Sequence, residues 1–268
     1  IQADTVNLPS LELLPLLTSL SPINARQEQA IEYLKTWQGE MDINNHAATI
    51  YHVWLGFLRD ALFTDDLSVK WGKSSQQRFL QSARGFISVS NIKHILQATG
   101  NTDYNWCDNV GTHPVETCED ILHSSLDSTI SRLTKLAGSN MSNWEWGEVQ
   151  HTAYNHTPFS SAKLLDALFE RRISNGGSAD SINVAVSTYE QTEGYLQIFG
   201  AGFRQIIDLS VEKPRHLLMN STGQSGNVLS RHYDDMIEAF RNVDMLEMHH
   251  HEAAQTLVLT PANQKKKG

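Results

Sequence analysis

Apolar positions in the first half of the chain recur at helical spacing. Ile31, Leu34 and Trp37 mark one face of a short helix that Gly39 is expected to end. From Asn45, a good N-cap residue, the set Ala47, Ile50, Tyr51, Trp54, Leu55, Leu58 and Leu62 draws a broad apolar stripe down a long helix. A stripe of that width has to meet a core. The same period predicts helices over 75–84, 89–98, 118–137 and 162–169. Past residue 178 the period shortens, because 181–187 (Ser-Ile-Asn-Val-Ala-Val-Ser) alternates polar and apolar as a half-buried strand does. Further strands are expected at 202–209, 216–219 and 256–259. A loop from Ser221 to Asn227, with Gly223 and Gly226 permitting tight turns, lies among them, and an acidic helix over 233–240 follows. The pattern predicts an α+β chain, mainly helical over about 1–175, with strands plus one helix over about 178–260.

At 268 residues, 40% apolar and 19% charged, the chain is long enough to bury a sizeable core. With no Gly/Ser-rich or Pro-rich linker in it, residues 1–268 are expected to form a single unit. A net charge of −9 argues against nucleic acid as a partner, since binding phosphates requires Lys and Arg. The basic run Lys265, Lys266 and Lys267 reads as a solubilising tail. No apolar run approaches the roughly 18–20 residues of a membrane span, so no membrane partner is expected and the chain reads as soluble. Ile1 is neither an initiator Met nor the start of a basic-then-apolar leader, and an upstream segment is expected to have been removed.

Cys107 and Cys118 are flanked by turn formers, Asn105, Asp108, Asn109, Gly111 and Pro114. They do not make a zinc motif. A disulfide between them would close a loop worth slightly under about 3 kcal/mol; two thiols in a reducing compartment fit the spacing as well.

Three clusters hold candidate chemistry. Trp144-Glu145-Trp146-Gly147 leads to His151 and His156, but a helical ligand pair would be spaced three or four apart, and packing explains them better. His232-Tyr233-Asp234-Asp235 joins an imidazole to two carboxylates, which at a helix start would also serve as caps. A general base at His232 would need a nucleophile and an orienting group. His249, His250 and His251 are consecutive and cannot all converge on one ion, so no metal is assigned to them. Ser225 lies between Gly223 and Gly226, which is not the spacing of a nucleophile elbow.

Several segments, taken in order, resemble the penicillin acylase family. They are Gln2-Ala3-Asp4 with Leu14-Pro15-Leu16-Leu17, Trp106-Cys107-Asp108 through Val115-Glu116-Thr117-Cys118, Trp144-Glu145-Trp146-Gly147 through His151, and Asp180-Ser181-Ile182-Asn183-Val184. The most specific block is Gly202-Phe203-Arg204-Gln205-Ile206-Ile207-Asp208-Leu209, then Thr222-Gly223-Gln224-Ser225-Gly226-Asn227, Ser230 and His232-Tyr233-Asp234-Asp235. Arg231 stands where relatives usually have proline, and Phe240 where they usually have tryptophan.

The resemblance implies the C-terminal part of the β subunit of an N-terminal-nucleophile hydrolase, that is, the C-terminal portion of a four-layer αββα fold. Such an enzyme is exported to the periplasm or secreted, matures from one precursor into α and β subunits, and cleaves acyl amides such as penicillins or acyl-homoserine lactones. A Ser, Thr or Cys at the new β-chain terminus attacks the amide carbonyl while its own α-amino group serves as base. Carried over residue by residue, the resemblance assigns no catalytic, cofactor-binding or metal-binding residue to this chain. The nucleophile, the oxyanion Asn and a structural calcium are implied upstream, and Ile1 has neither hydroxyl nor thiol. The implied partners are the upstream part of the β subunit, the α subunit and a small-molecule acyl amide, and export favours a Cys107–Cys118 disulfide. Two other readings stay open: a non-catalytic binding or scaffold domain derived from the same fold, and a metallohydrolase built on His151, His156, His232 or the triple histidine.

Overall fold

Polar side chains placed just before apolar-periodic runs start the five longest helices. A computed structural model of the chain describes residues 1–71, 87–98, 105–191, 194–212, 214–248 and 257–258. The predicted helix over 75–84, His249 to His251 and Lys265 to Lys267 lie outside the described residues, as do both ends of the strand predicted over 256–259.

Helix α1 (Leu8–Thr18) opens on Asn7, whose Oδ1 accepts the Ser10 N–H at 3.1 Å. Periodicity did not predict it, because its sequence is apolar nearly all round and carries Pro15 inside. Helix α2 (Ala25–Lys35) is capped by Asn24 and buries Gln27, Ala30, Ile31 and Leu34. It ends at Lys35, before the Gly39 predicted to stop it. Gly39 instead serves a turn at φ +90°, where a Cβ would stand 3.1 Å from the Asn7 carbonyl.

Helix α3 (His46–Trp71) starts as predicted, with Asn45 Oδ1 accepting the Ala48 N–H at 3.0 Å. Every residue of the predicted stripe is buried, and Ala48 and Val53 are buried beside it. The helix is therefore covered on more than one side. Helix α4 (Val89–Gln97) packs on α1, and α5 (Cys118–Ala137) runs along α3 behind a capping box of Thr117 and Asp120. Trp54 Nε1 donates to Ser125 Oγ at 2.8 Å across the α3–α5 contact.

Sheet structure begins earlier than expected. After the single turn α6 (Trp146–Val149), strand β1 (Gln150–Tyr154) pairs antiparallel with β2 (Arg171–Ser174), and α7 (Lys163–Phe169) lies between them in sequence. Both strands fall in the part predicted to be mainly helical; at four and five residues they are too short for their alternation to stand out. β3 (Ala185–Glu190) and β4 (Gly194–Gly200) complete a sheet of order β2-β1-β4-β3, in which β1 and β4 are parallel. β3 starts at Ala185, not at Ser181 as predicted, because the Ser181 hydroxyl folds 178–183 into a turn, accepting the Ser178 N–H and lying 2.9 Å from the Asn183 carbonyl.

A second, antiparallel sheet holds β5 (Phe203–Asp208), β6 (Arg215–Asn220) and β7 (Leu246–Glu247) in that order. The predicted acidic helix shrinks to α8 (Ile237–Arg241).

The four-stranded sheet turns one face to the helices. Tyr189 and Tyr195 are cross-strand partners on that face, with Arg132 of α5 3.7 Å from the Tyr189 ring and His52 of α3 5.0 Å from the Tyr195 ring. Trp146, fully buried, donates through Nε1 to the Gly177 carbonyl and so joins the helical layer to the loop before β3. Leu196 alternates to the opposite face, where it shares a cavity of about 250 Å³ with Ala153 and Arg172.

Candidate functional site

The block from 202 to 241 brings the sequence-predicted residues together, and its geometry decides which of them can do chemistry. The 223–225 segment pairs with 232–233: Gly223 N–H donates to the Tyr233 carbonyl, and Ser225 N–H to the His232 carbonyl at 2.9 Å. Gly223 is required by this crossing, since a Cβ there would sit 2.1 Å from the His232 carbonyl oxygen. Ser225 Oγ accepts the Asn227 N–H at 3.1 Å, so it shapes its own turn.

His232 has both ring nitrogens engaged. Arg231 Nε donates to Nε2 at 3.1 Å, which leaves the ring proton on Nδ1, 2.7 Å from Asp235 Oδ2. The nitrogen that would have to face a nucleophile is turned to Arg231. Asp234 and Asp235 were expected at a helix start. They lie in the turn before α8, where Asp234 pairs with Arg171 Nε and Asp235 with His232, and no side chain caps α8.

Arg204 is the functional-looking residue that periodicity missed. It is 3% exposed, its Nη1 donates to the Phe240 carbonyl, and its Nη2 donates to Asn183 Oδ1 at 2.9 Å. Its guanidinium lies 3.8 Å from the centroid of the Phe240 ring. Burial pulls its pKa below the ordinary arginine value. Asn183 N–H in turn donates to the Asp4 carbonyl, so this one guanidinium ties β5, α8, the 178–183 turn and the N-terminal segment together. The signal that could have found it is an arginine inside a strand, on the same face as Ile206.

His151 and His156 do not form a ligand pair. His151, opposite Ser174 in register, lines a cavity of about 470 Å³ with Glu148, Val149, Arg172 and Leu136. His156 stacks on Phe159 at 5.1 Å between centroids and lies 5.0 Å from Phe169; Tyr233 donates its hydroxyl to the Phe169 carbonyl on the same cluster. Among the described residues no group of three or more His, Cys, Asp or Glu converges as a metal site. Cys107 and Cys118 are joined as a disulfide, with Cα atoms 4.9 Å apart, at the start of α5. No described helix is long and apolar enough to cross a membrane.

A family model described as penicillin amidase matches residues 1–256. Acyl-homoserine lactone acylase QuiP of Pseudomonas syringae pv. tomato is 26% identical over 267 residues, which is 97% of this chain and 31% of that protein. QuiP of Pseudomonas putida is 27% identical over 207 residues, 77% of this chain and 24% of that protein. The chain thus spans about a third or less of the length of these relatives. A thermostable penicillin G acylase from Alcaligenes faecalis superposes with a TM-score of 0.55 at 15% identity, over 97% of this chain and 48% of the other. That likeness shows a shared α+β fold over about half of the other chain's length. The family model runs over nearly the whole sequence, and the chain belongs to the penicillin amidase family.

Proposed function

We propose that this chain is the C-terminal part of the β subunit of an amidohydrolase that cuts the linear amide of an N-acyl compound, with acyl-homoserine lactones the first class to try. The observation that carries the reading is the penicillin amidase match over residues 1–256. The curated relatives at 24–27% identity are named acyl-homoserine lactone acylases, which favours that amide over a penicillin.

The nucleophile is supplied from upstream. It is a Ser, Thr or Cys whose free α-amino group takes its proton, attacks the acyl carbonyl and expels the amine; water then releases the acid from the acyl-enzyme. A structural calcium, if the enzyme holds one, is bound outside this chain. Support for placing the nucleophile elsewhere comes from Ser225 and His232, which are committed to turn-forming and side-chain bonds within this chain. What the chain itself contributes is the helical layer and the strands against which the catalytic part is held. The Cys107–Cys118 link suits an oxidising compartment, the periplasm or the exterior.

The test is release of free homoserine lactone from an acyl-homoserine lactone, measured with the isolated chain and with the chain assembled with its upstream polypeptide. The isolated chain is expected to stay at background and the assembly to turn over. Turnover by the isolated chain that disappears in Ser225→Ala or His232→Ala would overturn the placement of the nucleophile. An assembly inert toward every acyl amide would favour a non-catalytic scaffold.

A further inference from the structure

The two sulfurs of the Cys107–Cys118 bond sit in different surroundings. Cys107 is 1% exposed and belongs to the apolar core, next to Trp106, whose ring lies 5.2 Å from that of Phe63 on α3. Cys118, the first residue of α5, is half-buried and packs on the rim of that core. A thiolate arriving from solvent therefore meets Cys118 first. Attack on the Cys118 Sγ expels the Cys107 thiolate, a poor leaving group because apolar burial disfavours the anion. The Cys118 thiolate, at a helix N-terminus, would leave more readily, but expelling it requires attack on the buried sulfur.

The surroundings of the reachable sulfur are acidic. Residues 105–123 carry Asp108, Glu116, Glu119 and Asp120 and no Lys or Arg. Asp65 of α3 faces the same loop, its Oδ2 accepting the Val110 N–H at 2.8 Å. Backbone donors of the loop fix these carboxylates: Asp108 Oδ1 accepts the Glu116 N–H at 3.3 Å, Glu116 Oε2 the Asn109 N–H at 3.0 Å, and Asp120 Oδ2 the Thr117 N–H at 2.9 Å. The Thr112 hydroxyl holds the Glu116 pKa below the ordinary carboxylate value, and the Thr117 hydroxyl does the same for Asp120, so both are charged at neutral pH. The basic side chains of the segment are the imidazoles of His113 and His123, and His123 Nε2 lies 3.9 Å from Glu119 Oε1. Glu119 and Asp120 also offset, in the first turn of α5, what the helix N-terminus offers an anion.

We propose that the Cys107–Cys118 bond is a charge-selective redox site, opened only through Cys118 and by cationic or neutral dithiols in preference to anionic ones. The attacking thiolate bonds to the Cys118 Sγ as the bond between the two cysteine sulfurs breaks, and the electron pair leaves on Cys107. With the two Cα atoms 4.9 Å apart, the Cys107 thiolate stays beside the mixed disulfide, attacks it in turn and expels the incoming thiol. A monothiol thus exchanges to no net effect. A dithiol completes the reduction: its second thiolate attacks its own bonded sulfur, expels Cys118 as a thiolate and departs as a cyclic disulfide, two electrons having passed to the protein. The carboxylates lower the local concentration of anionic thiolates and so slow the first step for them.

The experiment reduces the oxidised 268-residue chain with dihydrolipoate, an anion, with dihydrolipoamide, its neutral counterpart, and with dithiobutylamine, a cationic dithiol. Bond opening is counted by acid quench, alkylation and mass spectrometry. Each rate is divided by that of the same dithiol on hydroxyethyl disulfide, which is neutral, so that intrinsic thiol reactivity cancels. The normalised rates are expected to fall from the cation to the anion by about 10-fold, and to converge at about 1 M salt, where charges are screened within ~3 Å. Glu119→Gln, an exposed change whose folding is checked by circular dichroism, should narrow the range by about twofold. Brief exposure to cysteamine followed by acid quench should show the mixed disulfide on Cys118. An adduct on Cys107, equal normalised rates, or a preference that salt leaves untouched would overturn the proposal. So would a bond that resists every dithiol until the chain unfolds.

Discussion

The helical layer and the strand-bearing block treat the same residue types in opposite ways. In the first, Trp54, Trp144 and Trp146 are fully enclosed, and α2 turns every one of its apolar periodic positions inward. In the second, isoleucines and phenylalanines stand in the open while an arginine and an asparagine are buried. The contrast shows where the chain closes its own core. Amphipathic helices need one buried side each and find it against one another, while the strands present two sides and cover them unevenly. The stability of the isolated chain should therefore reside in the helices.

The largest effect that would break this comparison is a paired truncation. Trp146→Ala removes a fully buried ring and takes from the Gly177 carbonyl the nearer of its two side-chain donors, leaving Gln150 Nε2 at 3.5 Å, and should cost about 3–5 kcal/mol in chemical denaturation. Ile207→Ala, a change of similar chemistry at an exposed strand position, should cost less than about 0.5 kcal/mol in the same isolated chain. Comparable losses at the two positions would mean that the strand block is as self-sufficient as the helices.

A somewhat smaller effect comes from His52, which lies between Trp146 (4.7 Å) and Tyr195 (5.0 Å) where helices meet sheet. Burial, and then the neighbouring Arg59, push its pKa down to about 4 from 6.5. The folded state thus holds it neutral while the unfolded chain takes up a proton below 6.5. Its contribution is complete above that pH and is lost as pH falls toward 4, a change of about 3 kcal/mol at most. His52→Phe keeps a ring and removes the titration, so the difference in unfolding free energy between pH 7 and pH 4.5 should shrink. An unchanged difference would place the acid sensitivity elsewhere.

The smallest effect sharpens the account of the one well-covered point in the strand block. Phe240→Trp should strengthen the contact with Arg204 by about 0.5 kcal/mol, since indole is the better face for a cation. A loss above about 1 kcal/mol would show that the pocket lacks room for the larger ring.

How far the fold was legible varied with element length. The stripe from Ala47 to Leu62, the N-cap at Asn45 and the bounds of Cys118–Ala137 stand in the sequence, because over five turns a repeat of 3.6 cannot be imitated by chance. The strands β1 and β2 carry too few residues for a period of two to show, and α1 hides its buried side among leucines and prolines. The candidate site divides similarly. The order of segments from Gln2 to Asp235 pointed to the family, whereas periodicity had no reason to select Arg204, whose partners Asn183 and Phe240 lie 21 and 36 residues away.

The sequence by itself determined the long helices and the family, because local period, capping chemistry and residue identity are written in neighbouring positions. Only the tertiary structure decided that His232 is held by Arg231 and Asp235, that Gly223 makes way for the backbone of 232–233, and that Arg204 is buried while Ile206, two residues on, is exposed. Those outcomes depend on which distant segments meet and on which surfaces nothing in this chain reaches. Side-chain spacing along one strand cannot report them.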